Sequence, residues 1–223
     1  MSYNFRFSAL APYTGEIIRG VFLTLQLSLI TMLIGLAIGL LVALGTTSQR
    51  ASIRVPVRVY VEAIRNTPLL VQLFIVFFGL PSLGIRLDAN LAAIIGLSIN
   101  VGAYCGEILR AGFESIRPSQ IEAGRALGLT AGQTFRSVVL YQAIKAIYPA
   151  LTSQFVLLLL ATSVVSSIGA TELFHQAAFI DSRTYRSFET YALITLAYLA
   201  MTLVIRAMFS AFYWVVFVRR PHP

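Results

Sequence analysis

The sequence has few charged residues, a single cysteine and only two histidines. Charged residues make up 12% of the 223 positions, whereas 57% of the positions are apolar. A water-soluble domain of this length needs more polar surface, so the composition excludes that class. Cys105 has no second cysteine to pair with, which excludes a disulfide framework and a thiolate metal site.

Motifs for catalysis and for nucleotide binding are also missing. His175 lies in a polar connection and His222 lies next to the C-terminus, so neither can pair with a nucleophile inside an apolar run. The chain has no Gly-x-x-x-x-Gly-Lys-Ser/Thr phosphate loop. We therefore expect a non-catalytic protein that carries no cofactor or metal of its own.

Long uncharged runs are the main feature of what is present. A helix needs about 20 residues to cross the hydrocarbon layer of a membrane. Five runs meet this need, and we place the spans at 17–45, 56–79, 88–112, 148–168 and 188–214. The longest connection, 113–147, is itself mostly helical. The sequence therefore predicts an all-α membrane protein whose residues 1–223 form a single transmembrane domain.

The net charge of +8 follows from where the basic residues lie. With the N-terminus outside, ten fall in inner connections: Arg50, Arg54, Arg58, Arg110, Arg117, Arg125, Arg136, Lys145, Arg219 and Arg220. Five fall in outer segments: Arg6, Arg19, Arg86, Arg183 and Arg186. This excess matches the positive-inside rule and places the C-terminus in the cytoplasm. Basic and aromatic residues do not alternate on a polar face, so we expect no nucleic-acid partner.

The connection between the third and fourth spans contains strong signals for the start and end of short helices. Pro118 suits a first helical position, and Gly128 suits the left-handed residue that follows a helix. The body between them is only about 15 Å long, too short to cross a bilayer. Thr130 and Gln133 form a capping box for a second helix, which we expect to end at Tyr148 before a proline. The first helix carries small residues instead of Trp or Phe, which favours contact with a protein over contact with lipid.

Two segments carry a family resemblance. The run "EAGRALGL" followed by "VVLY" resembles the Glu-Ala-Ala signature of bacterial ABC-importer permeases. Glu122, Ala123, Gly128 and Leu140 match that pattern, whereas Gly124, Val138 and Tyr141 stand in place of Ala, Ile and Pro. The run "RNTPLL", residues 65–70, is similar to the Arg-Gly-Thr-Pro-Leu-Leu of the polar amino-acid uptake branch. Together with flanking segments, the resemblance covers nearly the whole chain.

The resemblance implies a type I ABC importer permease in the bacterial inner membrane, with five spans and a cytoplasmic coupling helix between the third and fourth. Such a chain forms half of a path for a polar amino acid. Its implied partners are an identical or homologous second permease, an extracytoplasmic binding protein and a cytoplasmic ATPase dimer that binds ATP and Mg. The coupling region, 117–129, would dock on that ATPase through Pro118, Ser119, Glu122, Ala123, Gly124, Arg125, Ala126, Leu127 and Gly128.

Polar residues inside the spans give further candidates. We interpret Glu62 and Arg65 as a structural ion pair, with Pro68 one turn later. Polar residues at mid-membrane depth predict a substrate path: Gln72, Asn100, Thr162, Ser163 and Ser166. The resemblance adds that family members often have Lys-Asp where this chain has Leu160-Ala161, which argues against a basic substrate unless a partner subunit supplies the charge. Two Gly-xxx-Gly pairs, Gly35/Gly39 and Gly102/Gly106, favour close packing between helices of one bundle.

Two other functions remain open from the sequence. The first is an ATP-independent channel or secondary transporter of small polar solutes; such proteins commonly contain duplicated halves, which five spans cannot form equally. The second is a pure scaffold subunit, which would not need polar residues at mid-membrane depth. Copurification of an ATPase and a transport assay distinguish these readings from an ATP-driven importer.

Overall fold

A computed structural model describes residues 4–219, and every regular element in that range is helical. The α-helices are α1 (Thr14–Thr46), α2 (Ala51–Arg65), α3 (Leu69–Phe74), α4 (Ala89–Glu114), α5 (Pro118–Ala126), α6 (Ala131–Thr134), α7 (Leu140–Ala161), α8 (Leu173–Thr184) and α9 (Ser187–Tyr213). Segments of 3₁₀ helix are Phe7–Tyr13, Leu80–Leu83 and Thr162–Ile168, and π-helical segments are Ile75–Gly79, Phe135–Val139 and Trp214–Val218. Arg220 and His222 lie outside the described residues.

The helices confirm an all-α architecture with up to five membrane passes. Four continuous stretches are long and apolar enough to cross a membrane: Phe7–Thr46, Ala89–Glu114, Ala131–Ile168 and Ser187–Val218. A fifth pass is formed when Ala51–Arg65 and Leu69–Leu83, a bent pair, are counted as one. The first, third and fifth predicted spans agree with α1, α4 and α9 within a few residues.

Two glycine pairs hold α1 and α4 together in parallel. A Cβ added at Gly39 would lie 2.7 Å from Cβ of Cys105, and one added at Gly106 would lie 2.3 Å from Cγ1 of Val42. These contacts advance in the same direction along both helices, as they do around Gly35 and its partner Val101. The predicted packing of the glycines inside one bundle is therefore confirmed.

The second predicted span, 56–79, is not a single straight helix, because the chain bends by 110° between α2 and α3. Pro68 is itself extended, with φ of −65° and ψ of 136°, and proline disfavours a helical conformation in the residue before it, so α2 ends ahead of this position. Polar side chains then satisfy the carbonyls that the break exposes. Asn66 Nδ2 donates to Glu62 O at 2.8 Å, and Thr67 Oγ1 donates to Ala63 O at 2.7 Å. Side chains of the same span therefore stabilise the break.

The expected helix start at Tyr148–Pro149 is also wrong, because α7 continues through the proline and extends the predicted span 148–168 towards its N-terminal side. Packing of the residue before the proline explains this. The Tyr148 hydroxyl donates to Phe209 O at 2.9 Å, and its ring stacks on Phe212 with centroids 5.7 Å apart. Membrane helices tolerate proline where neighbouring helices secure the backbone in this way.

The order of passes gives the bundle two distinct ends. The α5 end carries the end of α1, the end of α4, α5 itself and the end of α9; the α8 end carries α8 and the start of α4. An added Cβ at Gly112 would overlap Ile147, so α7 runs back from the α5 end beside α4. The described members of the two groups of basic residues lie at these opposite ends. The segment after the fourth span is a helix, α8, that buries Leu173 and Ile180 completely.

Candidate coupling helix and transport path

Helix α5 is closed at both ends by local chemistry. Pro118 occupies its first turn, and Gly128 follows its end with φ of +80°. Two backbone bonds close the turn: Gly128 N–H donates to Arg125 O at 2.9 Å, and Leu129 N–H donates to Gly124 O at 3.1 Å. This pair of bonds is a Schellman motif. The helix and its glycine stop are therefore confirmed as predicted.

One side of α5 is fixed to the bundle. Gly124 is buried, and a Cβ there would lie 3.1 Å from Cγ2 of Thr134 on α6. This close approach explains why glycine stands where the family pattern has alanine. Ile121 packs on the buried cluster of Ile116, Val139 and Ala143. The predicted capping box of α6 is present as well, so α5 and α6 are both well-defined short helices.

The other side of α5 is open. The predicted coupling residues that are exposed are Pro118, Ser119, Glu122, Ala123, Arg125, Ala126, Leu127 and Gly128. Leu127 is 82% exposed, which leaves an apolar side chain at the tip of the helix in water. Glu122 and Arg125 form no ion pair with each other within 4 Å. A small apolar tip with two unpaired charges beside it suits contact with another protein.

Helix α4 carries a polar face that is separate from its glycine face. Asn100, Tyr104 and Glu107 follow one another at helical spacing along this face. Asn100 Nδ2 donates to Gln72 Oε1 at 2.9 Å, and Gln72 Nε2 donates to Ile64 O at 2.7 Å. Gln72 therefore bridges the break between α2 and α3 to the middle of α4. The structure brings these two predicted path residues together.

A cavity of about 300 Å³ lies beside this face. Its polar lining consists of Asn100, Thr67, Tyr104 and Gln154, and Ala161 contributes to its apolar lining. Three of the lining residues were not among the predicted path residues: Thr67, Tyr104 and Gln154. The spacing of Asn100 and Tyr104, four residues apart, was a signal that both share one face, whereas the position of Gln154 opposite them depends on how α7 packs against α4.

The other predicted path residues lie elsewhere. Thr162, Ser163 and Ser166 belong to the 3₁₀ segment after α7 and do not line this cavity. Each hydroxyl donates to a carbonyl three residues earlier, at 2.7 to 2.8 Å. Their polarity is thus used within their own turn. The structure does not bring them together with Asn100.

The predicted pair of Glu62 and Arg65 is wrong. The guanidinium of Arg65 lies 3.6 Å from Glu107 on α4 and 5.4 Å from the centroid of the Tyr104 ring. Glu62 instead accepts a hydrogen bond from Asn66 at 2.8 Å. Arg65 lies in the last turn of α2, which packs against α4, so its side chain reaches Glu107 instead of Glu62.

The α8 end contains a buried carboxyl group that the sequence analysis did not single out. Glu172 is completely buried and accepts hydrogen bonds from the N–H groups of Phe174 and His175 and from the Tyr198 hydroxyl, each at 2.7 Å. Burial raises the pKa of the Glu172 carboxyl, while these donors favour its charged form and oppose the rise. The side chain caps α8 and ties it to α9.

No metal centre is formed by the described residues, since no three His, Cys, Asp or Glu side chains in 4–219 converge.

A comparison with known protein families gives a match over almost the whole chain. The family model described as "Binding-protein-dependent transport system inner membrane component" matches residues 12–217.

Curated relatives and a solved structure are also similar over most of the chain. The arginine transport system permease protein ArtQ of Bacillus subtilis is 34% identical over 203 residues, which is 91% of this chain and 93% of the relative. The probable glutamine ABC transporter permease protein GlnM of the same organism is 39% identical over 144 residues, which is 65% of this chain and 67% of the relative. An amino acid ABC transporter crystallised with histidines has a TM-score of 0.88 and 40% identity, over 94% of this chain and 98% of the neighbour.

Proposed function

This chain belongs to the family of binding-protein-dependent transport system inner membrane components and is the permease component of an amino-acid ABC importer; from this premise we propose that α5 couples it to an ATPase and that the polar face of α4 guides the substrate. The relatives named above transport different amino acids, so the choice of substrate must come from this chain's own residues.

The family implies an ATPase and a substrate-binding protein as partners. In our proposal the N-terminus lies outside, a second permease of identical or homologous sequence completes the path, and the ATPase dimer docks at the α5 end. The excess of basic residues at that end supports this orientation. ATP and Mg²⁺ would bind to the ATPase subunits, and this chain would bind neither.

Coupling requires a stiff element that contacts the ATPase on one side and the bundle on the other. The exposed Glu122, Arg125 and Leu127 supply the contact, and Ile121 and Gly124 hold the helix against α6 and α7. A shift of α5 on closure of the ATPase would then move the start of α7. Because α7 runs without a break past Pro149, that shift reaches the cavity at Gln154.

The lining of the cavity supports an uncharged polar amino acid as substrate. The polar groups around it are amides and hydroxyls, and Ala161 occupies the place where the resemblance puts an aspartate in many family members. Without a carboxylate there, a basic side chain would lose its counter-charge in a partly dry site. Neutral amide and hydroxyl groups can instead hydrogen-bond with a neutral polar side chain.

The coupling proposal rests on one observation: α5 packs against the bundle on one side and is exposed on the other. We would purify the importer through a tag on this chain and measure both the ATPase that copurifies and its activity. Glu122→Arg should reduce both, whereas Ser137→Arg, at an exposed position of the same end but off α5, should leave both unchanged. Equal ATPase binding and activity in the two variants would contradict the role of Glu122. If no ATPase copurifies with the wild type, the alternative hypothesis of an ATP-independent channel or secondary transporter gains support.

A further inference from the structure

A second, more polar cavity lies at the α5 end and is not part of the path described above. Its volume is about 710 Å³, and it is enclosed by the end of α1, by α2 and by the last turns of α4. The side chains that matter for its chemistry are Ser48, Arg54, Arg58, Glu62 and Arg110.

The three arginines of this cavity differ in how many carboxylates they contact. Arg110 is held by two carboxylates of its own helix, Glu107 at 2.8 Å and Glu114 at 2.6 Å. Arg54 donates only to a backbone carbonyl, that of Ser48, at 3.1 Å. Arg58 has no carboxylate within ion-pair distance among residues 4–219. Two guanidinium groups one helical turn apart are therefore available to an anion, and guanidinium groups bind phosphate oxygens well.

The cavity is lined by three carboxylates, of which Glu107 and Glu114 are paired with Arg110 and Glu62 has no arginine within ion-pair distance among residues 4–219. Glu62 follows Arg58 by one turn of α2, so their side chains emerge about 5–6 Å apart on the same face. Glu62 accepts one hydrogen bond, from Asn66, and its exposed carboxylate can accept others. A ligand that carries a phosphate and an ammonium group a few bonds apart would match both charges.

Apolar surface flanks the cavity on both sides. On α1, Leu41 and Leu44 are 70% and 60% exposed, just before the cavity begins at the end of that helix. On α2, Val55 and Val59 are 55% and 62% exposed beside the charged face. More than half of each of these side chains is left uncovered by the described residues. A ligand with hydrocarbon tails would cover them, which a soluble phosphate would not do.

We propose that this cavity binds the headgroup of a phosphatidylethanolamine molecule, with Arg54 and Arg58 at the phosphate and Glu62 at the ammonium group. The acyl chains then lie along the exposed leucines of α1 and valines of α2. The leaflet is the cytoplasmic one under the orientation proposed above. Lipid binding is measured without transport, so failure of this inference would leave the proposed function in place.

The test is native mass spectrometry of the complete importer, purified in mild detergent with an equimolar mixture of phosphatidylethanolamine and phosphatidylcholine. The wild type should retain phosphatidylethanolamine preferentially. Arg54→Gln combined with Arg58→Gln should weaken retention of both lipids by about thirtyfold, given two lost headgroup contacts. Glu62→Gln should keep lipid but lose the preference for ethanolamine over choline. Arg50→Gln removes a neighbouring exposed charge that does not line the cavity, and it should change nothing.

Three outcomes would overturn the proposal. Equal loss of lipid in Arg50→Gln and in the double variant would show a general surface-charge effect. Equal retention in all forms would show that the cavity is not the site. Displacement of the lipid by soluble phosphoethanolamine at equal concentration would assign the cavity to a soluble ligand. The variant Arg54→Lys with Arg58→Lys keeps both charges, and it should retain lipid if the double glutamine variant fails to fold.

Discussion

The glycine that ends α5 allows the cost of backbone strain to be measured separately from the cost of steric crowding. Gly128 has φ of +80° and no heavy atom within 4 Å of an added Cβ, so Gly128→Ala changes backbone strain alone. A left-handed alanine costs about 1–2 kcal/mol, and the lower entropy of the unfolded chain returns about 0.4–1 kcal/mol. The expected net cost is about 1 kcal/mol, or roughly fivefold in a local opening equilibrium.

Gly132 is the matched control, because an added Cβ there also meets nothing within 4 Å but its backbone is helical. Amide hydrogen exchange of the purified importer reports the opening at Leu129, whose N–H closes the turn at 3.1 Å. Exchange should be about fivefold faster in Gly128→Ala, unchanged or slower in Gly132→Ala, and intermediate in Gly128→Asn, since asparagine tolerates this conformation. Identical exchange in the two alanine variants would refute the argument that α5 depends on a left-handed stop.

Three further predictions concern other parts of the bundle. Gly106→Ala should destabilise the protein by about 1–3 kcal/mol through overpacking against Val42; thermal unfolding in detergent would show this, and Gly15→Ala, with nothing within 4 Å, should be close to neutral. Burial raises the pKa of Glu172, so its folded state binds a proton more readily and stability contributed at low pH is lost as pH rises through the raised pKa. The unfolding midpoint should therefore fall more in the wild type than in Glu172→Gln as the pH rises from below the ordinary carboxyl pKa, and equal slopes would contradict this. Ala161→Asp should increase competition by arginine against uptake of a neutral polar amino acid in reconstituted vesicles, and no change would remove Ala161 from the substrate cavity.

The start and end of α5 could be predicted because each of their sequence signals acts within a few residues. Pro118, Gly128 and Thr130 have backbone reasons that hold whatever surrounds them, and the structure has all three in the expected roles. The length of an apolar run was similarly sufficient for α1, α4 and α9. These features depend on hydrophobicity and local geometry alone.

The features that could not be predicted depend on distant contacts. The run from Asn66 onward stays uncharged, so hydropathy gave no sign that the chain bends there by 110°. Pro68 ends α2, but the direction that α3 then takes is stabilised by Gln72, whose side chain bonds to both α2 and α4. Tyr148 keeps α7 continuous only because α9 supplies its partners. The hydroxyls of the 3₁₀ segment looked available in the sequence but are used by their own turn, which explains why the predicted path cluster does not assemble.

The parallel seam between α1 and α4 has a consequence for how the protein is made. Because a chain enters the membrane from its N-terminus, α1 must reside in the lipid while α2 and α3 are still being synthesised. During that interval the groove at Gly35 and Gly39 has no partner and is covered only by lipid tails. The seam therefore closes late, after the fourth helix arrives, and its assembly is a non-local step despite its small size.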